Sequence, residues 1–141
     1  MVYVYFNYSG AMTDVRAALE TLIAGVRNGQ SLEGLIDTLP FTVLIANDVG
    51  SFVMANRLAS TLTGYSPSEL LKLSVWQITP DVHEREAETL WRAFRQQNEQ
   101  FGTYRLRRKD GTTVVSEYAA KTNVVRGLHV SILSDPLPLR Q

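Results

Sequence analysis

Apolar positions along the chain change their period several times, and each change marks an element. Between residues 12 and 28, Val15, Ala18, Leu19, Leu22, Ile23 and Val26 recur at steps of three and four, the rhythm of a helix with one apolar face. Thr13 is placed to cap its start, and Asn28-Gly29 stops it. A shorter helix over 31–39 closes at Pro40. The run 42–46 then reads as a strand, Asn47-Asp48-Val49-Gly50 as a tight turn, and 51–55 as the returning strand of a hairpin. Asn56 caps a helix carrying Leu58, Ala59 and Leu62, which Gly64 ends. Ser66-Pro67-Ser68-Glu69 starts another: a capping serine, a proline at the first helical position, and a glutamate three residues on.

A brief apolar piece surrounds Trp76. The longest helix is expected over 81–98, with Ala87, Leu90, Trp91 and Phe94 on one face and Glu84, Arg85, Glu88, Arg92 and Arg95 on the other. Three strands follow, over 102–109, 112–122 and 127–134. The first two are joined by the hairpin signal Asp110-Gly111. The fold class predicted is α+β: a five-stranded antiparallel sheet with helices packed on one face, plus an N-terminal helix. The division expected is an N-terminal extension over 1–30, a domain over 31–135 and a Pro-containing tail over 136–141. The aromatic run at 1–11 is compatible with an edge strand, an exchanged arm or sequence foreign to the domain.

Composition removes function classes. Fourteen basic residues balance 14 acidic ones, so nothing supports a grip on nucleic acid through its phosphates. There are no cysteines, which excludes disulfides, thiolate metal sites and cysteine nucleophiles. His83 and His129 are the two histidines, too few for an imidazole-built zinc site. No apolar run approaches the ~20 residues of a membrane span. The opening Met1-Val2-Tyr3-Val4-Tyr5-Phe6 lacks a basic leader and a cleavage site, and the location expected is the cytoplasm. No Gly-rich phosphate loop, nucleophile elbow or metal motif occurs. Ser116 or Ser131 with His129 would be a nucleophile pair lacking an orienting acid, so no enzyme is expected.

Several blocks, in order, resemble a known family. They are Asn47-Asp48-Val49-Gly50 with Phe52-Val53-Met54-Ala55-Asn56, then Leu62-Thr63-Gly64-Tyr65-Ser66-Pro67-Ser68-Glu69-Leu70-Leu71. Ile78-Thr79-Pro80-Asp81 and Arg107-Arg108-Lys109-Asp110-Gly111-Thr112 follow. Over about 35–135 the chain resembles a PAS domain, the sensory module of kinases and transcription factors. Departures include Asn47 where the family usually has Asp, Lys72 where it usually has Gly, and Asp135-Pro136-Leu137 for its closing triplet. Pro136 and Pro138 oppose an immediate C-terminal helix.

The resemblance implies a sensor that binds a small molecule or partner and regulates an effector, a histidine kinase or a transcriptional regulator, in the same chain or a bound one. Photosensing flavin members use a cysteine just beyond the Gly-Tyr block, where this chain has Ser74 and Val75. Haem members place an axial histidine where this chain has Ala87, and His83 lies one turn earlier. No cofactor is therefore expected, and a small organic ligand stays open. In the family register the inward strand positions are Gly102, Tyr104 and Leu106; Val114, Ser116, Tyr118 and Ala120; and His129, Ser131 and Leu133. The long helix adds Ala87, Leu90, Trp91 and Phe94, and Trp76 closes one end. These residues either line a ligand site or fill a core, and the sequence allows both.

The other sheet face would carry Val115, Leu128, Val130 and Ile132, and an antiparallel sheet apolar on both faces needs a second cover. The N-terminal helix can lie there and leave part of its stripe for a second copy. The expectation is a homodimer through that helix and the outer sheet face. A ligand-free dimerisation module is the alternative to a sensor.

Overall fold

The N-terminal stripe becomes helix α1 (Gly10–Arg27) in the computed structural model, which describes residues 2–3, 10–80, 82 and 84–138. The sheet is built from β1 (Val2–Tyr3), β2 (Thr42–Ala46), β3 (Phe52–Ala55), β4 (Glu99–Arg107), β5 (Thr113–Val125) and β6 (Leu128–Leu133). Their order is β1-β4-β5-β6-β2-β3, and every neighbouring pair is antiparallel. Five of these strands are those the alternation predicts. The sixth, β1, sits at the edge of β4 with Val2 opposite Tyr104. The remainder of the aromatic opening, His83 and Asp81 lie outside the described residues.

Each face of the sheet has its own cover. On the inner face lie α3 (Arg57–Thr63), α4 (Pro67–Leu70), a single 3₁₀ turn (Val75–Ile78) and α5 (Glu84–Arg95). Leu44, Ala46, Tyr118, Ala120 and Leu133 meet them there. On the outer face α1 packs Val15, Leu19 and Leu22 onto Val43, Ile45, Ala119, Val130 and Ile132. Helix α2 (Leu32–Thr38) joins this outer layer through Leu35 and Ile36. A short stripe such as 31–39 is silent about which face it will cover, and the tight approach to α1 decides it. A Cβ on Gly25 would stand 2.6 Å from Leu35 Cδ2, so the two helices meet where α1 has no side chain. The stripe of α1 is largely spent on its own sheet, with only Ile23 and Val26 half-buried at its margin.

Asn56 joins the layers. It is 4% exposed. Its Oδ1 accepts from the Val43 and Ala59 N–H groups at 3.0 and 3.2 Å, while Nδ2 donates to the Ile36 and Phe41 carbonyls at 3.0 and 2.7 Å. One amide thus caps α3, anchors β2 and closes α2, which satisfies groups that would otherwise be buried unpaired.

Helix α5 is shorter than the predicted 81–98. Past Arg95 the last turn tightens, the Gln96 and Gln97 N–H groups donating to the Ala93 and Phe94 carbonyls at 3.3 and 2.9 Å, and Thr122 fixes the exit: its N–H donates to Asn98 O at 3.1 Å and its hydroxyl to Gln97 O at 2.7 Å. Strand β5 outruns its predicted end at 122. The chain passes through Asn123 at φ 52 as an irregularity and resumes pairing at Val125 opposite Leu128.

Candidate functional site

Between the inner face and α5 is a cavity of about 80 Å³. The strands contribute Tyr104 from β4, Tyr118 and Ala120 from β5, and His129, Ser131 and Leu133 from β6. Their pairings bring them onto one surface: Tyr118 faces Leu133 and Ala120 faces Ser131 across β5 and β6. Leu90, Trp91 and Phe94 of α5 form the opposite wall. Nine of the fifteen candidate residues therefore meet around one space.

Six do not, Gly102 and Val114 among them. Leu106 and Ser116 are fully buried beyond the cavity, in the packed end of the sheet near the β4–β5 turn. Ala87 and Trp76 line a separate cleft of about 440 Å³, together with Asp48, Val49 and the charged face of α5. Trp76 is drawn there by the β2–β3 turn, where Gly50 has φ +83 and a Cβ would stand 2.5 Å from the indole ring.

Leu44, Ala46 and Phe52 also line the cavity, as do Val75, Ile78 and Gln100. All five residues of β2 are buried, so its sequence carries no alternation to say which side faces in. Gln100 does continue the alternation Gly102, Tyr104, Leu106, and it was missed because β4 starts before 102.

His129 anchors the rim. Its Nδ1 accepts from the Asn123 N–H at 3.0 Å. A backbone N–H can only donate, so Nδ1 presents its lone pair and Nε2 carries the ring hydrogen, donated to Asp48 Oδ1 at 2.8 Å. The same Asp48 holds α5. Its carbonyl accepts from Trp91 Nε1 at 2.9 Å and from Arg95 at 3.2 Å, and its carboxylate pairs with the Arg95 guanidinium at 3.2 Å. The His129 hydrogen bond and the nearby Arg95 charge hold the Asp48 carboxyl below its usual range. Trp91 stacks edge-on against both His129 and Phe94, at 5.7 and 5.1 Å between centroids.

Deeper in, the Tyr104 hydroxyl bonds Thr79 Oγ1. Burial pushes the Tyr104 phenol up to about 12, the Thr79 bond working against it. Tyr118, 6.1 Å away between ring centroids, has no such partner: its hydroxyl is buried without a hydrogen bond. Burial, and secondarily Tyr104, pushes its phenol up as well. Both rings remain protonated donors at ordinary pH.

A family model for the PAS domain matches residues 40–132. The chain belongs to the PAS domain family. PAS domains are sensory modules, and solved PAS structures share this chain's fold. A domain of a sensory box sensor histidine kinase/response regulator from Geobacter sulfurreducens superposes with a TM-score of 0.64 at 16% identity, covering 83% of this chain and 96% of that one. The PAS domain of an HTR-like protein from Haloarcula marismortui gives 0.60 at 20% identity, covering 85% and 99%. The PAS domain of a LuxR-family transcriptional regulator from Burkholderia thailandensis, solved in complex with ethanol, gives 0.59 at 13% identity, covering 74% and 96%. No curated protein sequence matches this PAS domain. Among its described residues no helix is long and apolar enough to cross a membrane.

Proposed function

We propose that this PAS domain is a ligand-responsive regulatory module. A small molecule occupies the space between the sheet and α5, and its presence is passed to an effector, a histidine kinase or a transcriptional regulator, in the same chain or bound to it. The observation that carries this reading is the mounting of α5. That helix forms one wall of the cavity, and Trp91 and Arg95 tie it to Asp48, which is bonded in turn to His129 on the opposite wall. A ligand that changes the spacing of the walls acts on that junction, and differential affinity for two arrangements is what a sensor requires. The exit from the domain runs beside the same sheet: Ser134 and Leu137 N–H groups bond the Glu117 and Val115 carbonyls of β5, the strand that carries Tyr118.

The Burkholderia domain's ethanol is a molecule of the size such a cavity admits. A ligand-free dimerisation module gains less support, because the exposed large hydrophobics among the described residues are Val49, Leu71 and Val125, none of them on α1. The test is a thermal-shift screen against a broad metabolite library, followed by hydrogen exchange of the amides at 84–95. A true ligand at 100 times its Kd stabilises the fold by about 2.7 kcal/mol and slows exchange in α5. A library that moves neither quantity sinks the sensory reading.

A further inference from the structure

The chemistry of the cavity wall restricts what can enter it. Among the described residues no Lys, Arg, Asp or Glu lines the space. His129 is the one titratable cation-former among the described lining residues, and both its nitrogens are engaged, by the Asn123 N–H and by Asp48. An ionised guest would lose its hydration with nothing to replace it, a cost far above what a few contacts return. The polar groups that remain are neutral: Ser131 on β6, Gln100, whose Nε2 donates to Gln97 at 3.0 Å, and the two tyrosines. Tyr104 is already bonded to Thr79. The Tyr118 hydroxyl stands out: it is buried, lines the cavity and has no partner. Leaving such a group unpaired is costly, and a guest atom that pairs with it recovers that loss on binding. Size sets the other bound. Cavities of roughly 150 Å³ hold benzene, and this one, at about 80 Å³, takes a compound of a few heavy atoms.

We propose that the ligand of this cavity is a neutral, compact, largely apolar compound bearing one oxygen, of the short-chain alcohol or ketone class, whose oxygen pairs with the Tyr118 hydroxyl. The proposal rests on the reading that the cavity takes a ligand, and it names that ligand's class. The high protonation range of Tyr118 agrees with it, since the phenol stays a donor to a carbonyl or alcohol oxygen.

The experiment titrates the whole chain with 2-butanol, butanone, butyrate, butylammonium and xenon, following binding by amide chemical shifts around 118 and 129–133. The alcohol and the ketone are expected to bind at least tenfold more tightly than either ion. Tyr118→Phe should weaken 2-butanol roughly fivefold to tenfold and leave xenon, which has no polar atom, unchanged. The variant removes a buried unpaired group, so it should fold and melt no lower than the parent. Should it fail to fold, the carbonyl stretch of isotopically labelled butanone bound to the parent chain gives the same information, moving to lower frequency if Tyr118 donates to it. Ions that bind as tightly as the alcohol overturn the proposal, as does a Tyr118→Phe variant with unaltered alcohol affinity or an unshifted stretch. If xenon enters and the oxygenated probes do not, the ligand class is wrong while the cavity reading stands. If nothing enters, the cavity holds water only and both fall.

Discussion

The two faces of this sheet are covered differently, though the same strands supply both. The outer face is closely packed. Val15, Leu22, Val43, Ile45, Val130 and Ile132 are each 0% exposed there, and α1 and α2 meet closely enough that Gly25 has no room for a methyl group. The inner face has buried hydroxyls without partners at Ser116 and Tyr118, a cavity, and a covering helix fastened through a turn residue. Tight packing on one side stabilises the fold and leaves the other side free to be incompletely packed, which a binding site requires.

Three changes test that division. The largest effect should come from the outer face: Leu22→Ala leaves a cavity in a layer that cannot collapse and should cost about 3 kcal/mol, measured by urea unfolding. An effect below about 1 kcal/mol would mean that the outer face is not the stabilising one. The converse change is Ala120→Leu, which places extra carbons in the inner cavity. Stability should move by about 1 kcal/mol or less while binding of any cavity ligand is lost. A large destabilisation there would show that the inner face is packed as tightly as the outer.

The smallest effect is a dependence on acidity. Lys109 bonds Glu69 at 2.7 Å, and the Ser66 N–H adds a second bond at 2.9 Å; together they lower the Glu69 carboxyl from 4.5 to about 2. Its contribution is fully present above 4.5, where folded and unfolded chains are both ionised, and is lost as pH falls toward 2. Glu69 and Asp48 both lie on the inner side, so acid should speed amide exchange in α4 and α5 before α1 and α2. Glu69→Gln should flatten the pH dependence of exchange in α4. Simultaneous loosening of both layers would contradict the two-sided picture.

Short-range chemistry is what the sequence carries most plainly. Asn56 and Gly64 bound α3, Ser66 and Glu69 form the reciprocal capping box of α4, and Asp110 supports the β4–β5 turn by accepting from the Thr112 N–H at 2.9 Å. Each depends on residues a few positions apart. The misses are long-range. Nothing within 31–39 reveals that Gly25 offers a groove for Leu35. Nothing within 96–98 reveals that Thr122 will claim its carbonyls. The site divides in the same way. Tyr104, Tyr118, Ser131 and Leu133 follow from strand alternation once register is assumed, whereas Trp76 and Ala87 line the neighbouring cleft because α5 and the 3₁₀ turn are positioned by distant groups, the Asp48 carbonyl and carboxylate and the bare face of Gly50. The orphaned Tyr118 hydroxyl has no sequence signature, since a tyrosine on a strand looks the same whether or not its oxygen is bonded.

The seating of α1 also bears on how the chain is made. This helix is made well before much of its partner surface, which is β5, beginning at Thr113, and β6 beyond it. At about 5–20 residues per second, α1 waits on the order of ten seconds with its apolar stripe uncovered. In the interval α2 arrives, with Leu35 against Gly25, and so does β2, whose Val43 and Ile45 belong to the same layer. Until then α1, α2 and β2 form a provisional shelter for the stripe, and the outer layer closes only when β5 and β6 have emerged.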